Sequence, residues 1–249
     1  RPISKNLLIM PFDFLLMIIL IFKSISFLRK NKINILISTG GYMSLPLCIG
    51  AKILNIKLLL FEPNMVLGRS NKFFISYCQK IFCYSNNVKK FPIKFKNKIK
   101  VIPALLRKNF YDKRDSNNTL DTINLLIIGG SQGAKIFDDL VKNAIIELSK
   151  KYKLKIYQQT SSINFESFKK TYENNNINCE LFNFNDDVIN FMHKTDLCIT
   201  RAGASTLAEL NFTEIPYLAI PLPTAKDNHQ FENAYFYNKL GFNWLLNQK

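Results

Sequence analysis

Asp196-Leu197-Cys198-Ile199-Thr200-Arg201-Ala202-Gly203-Ala204-Ser205-Thr206-Leu207-Ala208-Glu209 is the stretch whose reading decides the fold. It opens with the apolar run Leu197–Thr200, the kind of segment that fills a buried parallel strand. The small residues Ala202, Gly203 and Ala204 then let the backbone come close to a ligand. Ser205 and Thr206 are natural N-cap residues, and Leu207–Leu210 reads as the first turn of a helix. A strand, a tight turn and a helix start present free amides and a positive dipole end to a phosphate. Glu209 falls about one turn inside this helix. A carboxylate there repels a phosphate but accepts two hydrogen bonds from a diol such as a ribose. Phosphate at the helix tip and ribose at the acid make a nucleotide. A purely structural turn, in which Glu209 only favours the helix N-terminus, accounts for the same residues equally well.

Upstream, Asn124–Ile128 predicts another strand, followed by a second glycine-rich turn, Gly129-Gly130-Ser131-Gln132-Gly133-Ala134, and a helix to about Lys151. This is not the dinucleotide fingerprint. The G-x-G-x-x-G spacing is missing, and Tyr157-Gln158-Gln159 stands where an acidic residue would close the next strand. An NAD-binding protein is therefore disfavoured. The turn still offers amides and the Ser131 hydroxyl to a diphosphate. Strands are expected at 153–158, 180–184 and 217–220, with helices at 165–174, 187–194 and 205–212 and a last helix ending near Leu240. The loop Pro223–Gln230 collects Asp227, Asn228, His229 and Gln230, and Gln230 has the amide chemistry to bind sugar hydroxyls. The first half repeats the alternation. Its strands are expected at 33–38, 57–61, 81–84 and 98–102, with helices from the Gly40-Gly41 turn to about Leu54 and from Ser70 to Gln79. The polar run Lys108–Thr122 reads as a linker. The expectation is α/β: two doubly wound Rossmann-like domains, 1–107 and 108–249, with ligands beyond the C-terminal strand ends. Arg107, at the joint, has the planar fork that suits a diphosphate, or an ordinary surface ion pair.

The 249 residues carry 34 Lys and Arg against 18 Asp and Glu, a formal charge of +16. Such a balance suits nucleic acid, an anionic membrane or an anionic small substrate. Nucleic acid is the weakest of these: the excess is mostly Lys, scattered, with no zinc-finger spacing or aromatic RNA-binding motif. The five cysteines lack paired metal spacing and read as small buried hydrophobes in a reducing compartment. Two histidines exclude a histidine-rich metal site. The most apolar segment, Leu7–Phe22, is short for a membrane span and is interrupted by Pro11 and Asp13, with no signal-peptide cleavage site. Lys5, Lys23, Arg29, Lys30 and Lys32 flank it. It reads either as a buried helix of an α/β domain or as a segment lying in the membrane interface with Lys heads on lipid phosphates.

Six motifs in order carry a resemblance: Thr39-Gly40-Gly41-Tyr42-Met43-Ser44-Leu45-Pro46; Phe61-Glu62-Pro63-Asn64 with Gly68–Lys72; Gly129–Ala134; Phe184-Asn185-Asp186-Asp187; Arg201–Glu209; and Asp227–Gln230. Over about Ile33 to Gly241 the chain resembles the MurG family, the UDP-N-acetylglucosamine: undecaprenyl-diphospho-muramoyl-peptide glucosaminyltransferases of peptidoglycan synthesis. The resemblance implies a GT-B fold with a cleft between its two domains and an inverting transfer without a metal or other cofactor. The donor would be UDP-N-acetylglucosamine and the acceptor an undecaprenyl-linked lipid. It implies a peripheral enzyme on an anionic surface, the cytoplasmic face of the bacterial inner membrane. By position, Asn64 would contact the transferred sugar or the acceptor, Arg107 and Ser131 the donor diphosphate, and the Asn185 backbone the uracil. Ala204, Ser205, Thr206 and Leu207 would cradle phosphate, Glu209 would bind ribose and Gln230 the sugar. The family's N-terminal glycine-rich loop, with its histidine, and its C-terminal helices have no counterpart here. The chain is thus expected to be truncated at both ends, with no residue assignable as general base. Ala104-Leu105-Leu106 replaces an Asn-Pro pair usual before the arginine, and Phe61-Glu62-Pro63-Asn64 replaces His-Glu-Gln-Asn. The alternatives are another UDP-sugar-dependent lipid glycosyltransferase of the same fold, and a non-catalytic nucleotide-sugar-binding subunit.

Overall fold

The apolar segment near the N-terminus is a 21-residue helix, α1 (Met10–Lys30). The computed structural model describes residues 10–111, 121–129, 137, 141–183 and 188–248. The helix does not stop at Phe22, as the hydropathy run suggests. Ser24 sits within the continued helix, its hydroxyl donating to Leu20 O at 2.8 Å. Arg29 and Lys30 close the last turn, where cations meet the negative dipole end. The chain reverses at Lys32, whose φ is 49°, and Ile33 N donates back to Leu28 O. One face of α1 packs on α2 (Leu45–Ile53). Gly50 faces Ile25 and Leu28 of α1 across this contact, close enough that a Cβ there would lie 3.4 Å from them.

Four parallel strands, β1 (Ile35–Ser38), β2 (Lys57–Glu62), β3 (Lys80–Cys83) and β4 (Ile99–Val101), pair in sequence order. Leu58, Leu60, Ile81 and Cys83 point into one core with Cys48, Leu67 and Phe74, while Leu28, Ala51 and Ile56 form a smaller one under α1. The helix expected to reach Gln79 is only α3 (Arg69–Phe74). Lys98 explains the early end, since its Nζ donates to the carbonyls of Ile75, Ser76 and Cys78 at 2.6–2.9 Å. These carbonyls turn to an ammonium instead of continuing the helical ladder.

The chain forms two compact units, Arg1–Ala104 and Leu105–Lys249. The border falls three residues before the position read from sequence. Leu106 packs against the core of the second unit, and Phe110, in the single 3-10 turn Lys108–Tyr111, is inside it. Residues 108–111 are thus not linker.

The second unit holds six parallel strands: β5 (Ile123–Ile128), β6 (Leu154–Gln159), β7 (Asn178–Phe182), β8 (Leu197–Thr200), β9 (Tyr217–Ala219) and β10 (Asn243–Leu245). Their order is β10-β9-β8-β5-β6-β7. It is a doubly wound sheet whose direction of travel reverses between β5 and β8. Strand β10 has no counterpart among the sequence expectations. The unbroken apolar run of β5 is explained by burial on both faces. Leu126 and Ile128 enter a core with Tyr157, Met192 and Leu207, and Leu125 and Ile127 one with Ile145, Phe168 and Tyr172. The described helices of this unit are α4 (Lys142–Ser149), α5 (Phe165–Asn174), α6 (Val188–Met192), α7 (Ala204–Phe212) and α8 (His229–Lys239). Asp196 Oδ2 ties β8 to β5 by accepting from Asn124 N at 2.8 Å and Asn124 Nδ2 at 2.9 Å.

Candidate functional site

The crevice outside the carboxyl ends of β5 and β8 is where a doubly wound sheet takes its ligand. Gly129 follows β5 and Arg201–Gly203 follow β8, so these two strand exits flank the reversal. Ser131 and Asn185 lie outside the described residues.

At the β8 turn the cap differs from the sequence expectation. Gly203 is the N-cap of α7, with extended backbone (φ −67°, ψ 136°), and no side chain caps the helix. Ser205 and Thr206 are inside the first turn. Leu207 offers no amide to a phosphate, because its N–H is already bonded to Gly203 O at 3.0 Å and its side chain is in the core. The open donors are therefore the amides of Ala204, Ser205 and Thr206, at the positive end of a nine-residue helix.

Glu209 lies on the same helix and is more buried than a ribose contact read from sequence suggests, at 8% exposure. Arg107 Nε donates to its Oε1 at 3.2 Å, and Arg107 Nη2 lies 3.1 Å from the same oxygen. The structure thus joins two residues that the sequence assigned to different parts of the donor. Burial pushes the Glu209 carboxyl above its usual range, and Arg107 opposes that shift. Gln230 Oε1 accepts from Leu222 N at 2.9 Å, which fixes the loop and leaves the Nε2 group for a hydroxyl. His229 Nδ1 lies 2.8 Å from Lys226 O, a bond within its own loop.

Two residues gain a role that sequence reading missed. Arg201, quoted in the motif without a function, is 7% exposed. Its Nη1 donates to Ile220 O, Pro221 O and Gln248 Oε1 at 2.9–3.2 Å, and its guanidinium lies over the Phe137 ring at 5.1 Å. One buried cation so pins the β8 turn to the exit of β9 and to the segment beyond β10. In the first unit, Glu62 is 3% exposed and accepts from Asn64 N, Asn64 Nδ2, Gly68 N and Asn71 Nδ2 at 2.7–3.2 Å. A Cβ on Gly68 would fall 3.0 Å from its Oε2. Asn64 is therefore held by its neighbouring acid. The signal for Glu62 was an acid closing the otherwise apolar run Leu58–Phe61.

The glycosyltransferase family 28 C-terminal domain matches residues 124–249, and the glycosyltransferase family 28 N-terminal domain matches residues 4–83. A relative from Pelagibacter ubique (strain HTCC1062) is 89% identical over all 249 residues, which span 70% of its own length. It is named a UDP-N-acetylglucosamine--N-acetylmuramyl-(pentapeptide) pyrophosphoryl-undecaprenol N-acetylglucosamine transferase. The chain belongs to the MurG family of glycosyltransferases. A second MurG-family relative, from Rickettsia bellii (strain RML369-C), is 36% identical over 256 aligned positions and is likewise covered over 70% of its length. The crystal structure of Acinetobacter baumannii MurG matches with a TM-score of 0.73 at 26% identity, over 91% of this chain and 64% of that one. The family carries the GT-B fold that the resemblance implies, and its doubly wound sheets agree with the alternation of strands and helices.

Proposed function

We propose that the chain transfers N-acetylglucosamine from UDP-N-acetylglucosamine to the muramoyl 4-hydroxyl of undecaprenyl-diphospho-muramoyl-pentapeptide, with inversion to a β-linkage. The observation that carries the reading is the uncapped start of α7 with Glu209 behind it, in a chain 89% identical to a transferase of that name. In this reading the acceptor hydroxyl attacks the anomeric carbon in line and gives up its proton to water, the bond to the diphosphate oxygen breaks, and UDP leaves with the bonding electrons. The amides of Ala204, Ser205 and Thr206 meet the growing negative charge. A preorganised donor of this kind is worth about 2.7–4 kcal/mol in the transition state. In this reading no metal is required, because the open amides at the positive end of α7 meet the diphosphate charge. Glu209 accepts the ribose hydroxyls, Gln230 donates to the sugar, and Asn64 faces the transferred sugar or the acceptor. Ser131 and Asn185 keep the diphosphate and uracil contacts implied by the resemblance.

The acceptor is a lipid, and α1 supports a membrane-surface reading. The helix is long and apolar enough to cross a membrane by length and composition. It also lies along the first unit through its contacts with α2 and leaves Phe12, Phe14 and Phe22 61–68% exposed. Lys23, Arg29 and Lys30 follow on the same helix. An amphipathic anchor buries such rings at the headgroup boundary while its lysines meet lipid phosphates. The enzyme then works peripherally on the cytoplasmic face of the inner membrane.

The test compares UDP-N-acetylglucosamine with UDP-glucose and UDP-galactose as donors to a lipid-linked muramoyl acceptor. Transfer from the first at the highest kcat/KM is expected. Preference for either of the others would replace the reading with another lipid glycosyltransferase.

A further inference from the structure

Arg107 and Glu209 meet in an uneven way. Both Nε and Nη2 of the arginine reach Oε1, at 3.2 and 3.1 Å. A side-on pair would instead use one nitrogen for each carboxylate oxygen. Oε2 takes no hydrogen bond from any described residue, yet it is not among the polar atoms sealed away without a partner. The arginine is itself held. Its guanidinium lies over the ring of Phe110 at 5.2 Å, and that ring is 2% exposed in the core. Phe110 N also donates to Arg107 O at 3.0 Å. The side chain is thus braced from below by an aromatic and directed at one oxygen, with the other oxygen open.

From this geometry we infer that Arg107 is a positioning residue for the ribose-binding carboxylate: it clamps Oε1 of Glu209 so that Oε2 is presented to the ribose diol. The inference rests on the proposed role of Glu209. It assigns Arg107 to the nucleoside end of the donor, where the family resemblance points to the diphosphate. Physically, a carboxylate taken out of water tends to protonate or to turn toward solvent. A guanidinium on one oxygen keeps the group ionised and fixes its plane, so the second oxygen is a full-strength acceptor at a defined place.

The experiment measures, by calorimetry on the whole chain, the affinity ratio between UDP and 2′-deoxy-UDP, which lacks one of the two ribose hydroxyls. The ratio is insensitive to any loss of folded protein. A hydrogen bond to an ionised group makes the wild-type ratio about tenfold or more. The Glu209→Gln variant brings the ratio close to one. If Arg107 acts through Glu209, Arg107→Ala also collapses the ratio, Arg107→Lys restores part of it, and the double variant is no worse than Glu209→Gln alone. If Arg107→Ala weakens both ligands equally and keeps the wild-type ratio, the arginine serves the diphosphate and the inference is overturned while the ribose reading stands. If Glu209→Gln itself keeps the ratio, the ribose reading falls and this inference falls with it.

Discussion

Glu209 is held in a state that works against its charged form, and the proposed reading gives that charge a ribose to bind. Its carboxyl is pushed up by burial, with Arg107 only partly compensating. A group whose folded pKa is raised adds stability below its unfolded pKa, and that contribution is lost as pH rises through the folded pKa. At neutral pH the charged Glu209 therefore works against the fold. The Glu209→Gln variant is expected to melt at the wild-type temperature or slightly above it, while its UDP affinity falls about tenfold or more. Thermal scanning and calorimetry on the same samples check both halves; a lower melting temperature with unchanged affinity would make the residue structural. The wild type should also lose UDP affinity as pH falls toward the ordinary carboxylate range, beginning nearer neutrality than an unshifted glutamate would. That loss should be absent from Glu209→Gln. Arg201 works in the opposite direction. Replacing it with Met strands the carbonyls of Ile220 and Pro221, and such orphaned buried groups cost about 1–3 kcal/mol each. Urea unfolding should show a loss of that order, with weaker UDP binding among the molecules that stay folded; full stability would mean that the three loops hold without their cation. Glu209 was visible in the sequence as a carboxylate one turn behind a small-residue turn, a placement that suits a ribose or a plain helix start alike. Its pairing with Arg107 was not, since the two residues are 102 positions apart and nothing local links them.

At the scale of elements, the proposed function rests on α7 and α1. The start of α7 was readable as strand, turn and helix, but its cap was misplaced by two residues. Ser205 and Thr206 look like caps by type, yet Gly203 already has the extended backbone of a cap and leaves three amides open. Propensity names candidate residues, whereas backbone geometry selects among them. Strands β5, β8 and β9 followed directly from short apolar runs between turn residues. Strand β10 escaped notice because Asn243-Trp244-Leu245 is too short to show a period. The length of α1 was underestimated because hydropathy falls at Lys23, whereas the helix continues on its contacts with α2. For α1 the expectation concerns membranes. Changing Phe14 and Phe22, both well exposed, to Glu removes apolar contact and adds charge that anionic lipid repels. Co-sedimentation with vesicles rich in anionic lipid should drop severalfold while UDP affinity stays at the wild-type value. Undiminished co-sedimentation would show that α1 is not the anchor.

Over the whole molecule, each unit has its own core and its own polar organiser, Glu62 in the first and Arg201 in the second. Arg201 gave no sign of this part in the sequence, and Glu62 only the sign of an acid closing an apolar run. A buried charge becomes meaningful only when its partners, drawn from separate loops, are known. The two-unit plan itself was legible from the repeated alternation of strands and helices. Its border was misplaced because Lys108–Thr122 is polar, and polarity was weighed above the anchoring of Phe110. A reaction driven by helix amides should proceed in EDTA at its rate in magnesium, and a loss of more than about tenfold that added metal restores would require a metal at the diphosphate. The central claim is that the second unit grips UDP through α7. A crystal structure of the chain with UDP tests it most directly. The account predicts phosphate oxygens within hydrogen-bonding distance of the Ala204, Ser205 and Thr206 amides and both ribose hydroxyls facing Glu209. UDP seated elsewhere, or with its ribose turned away from that carboxylate, would contradict it.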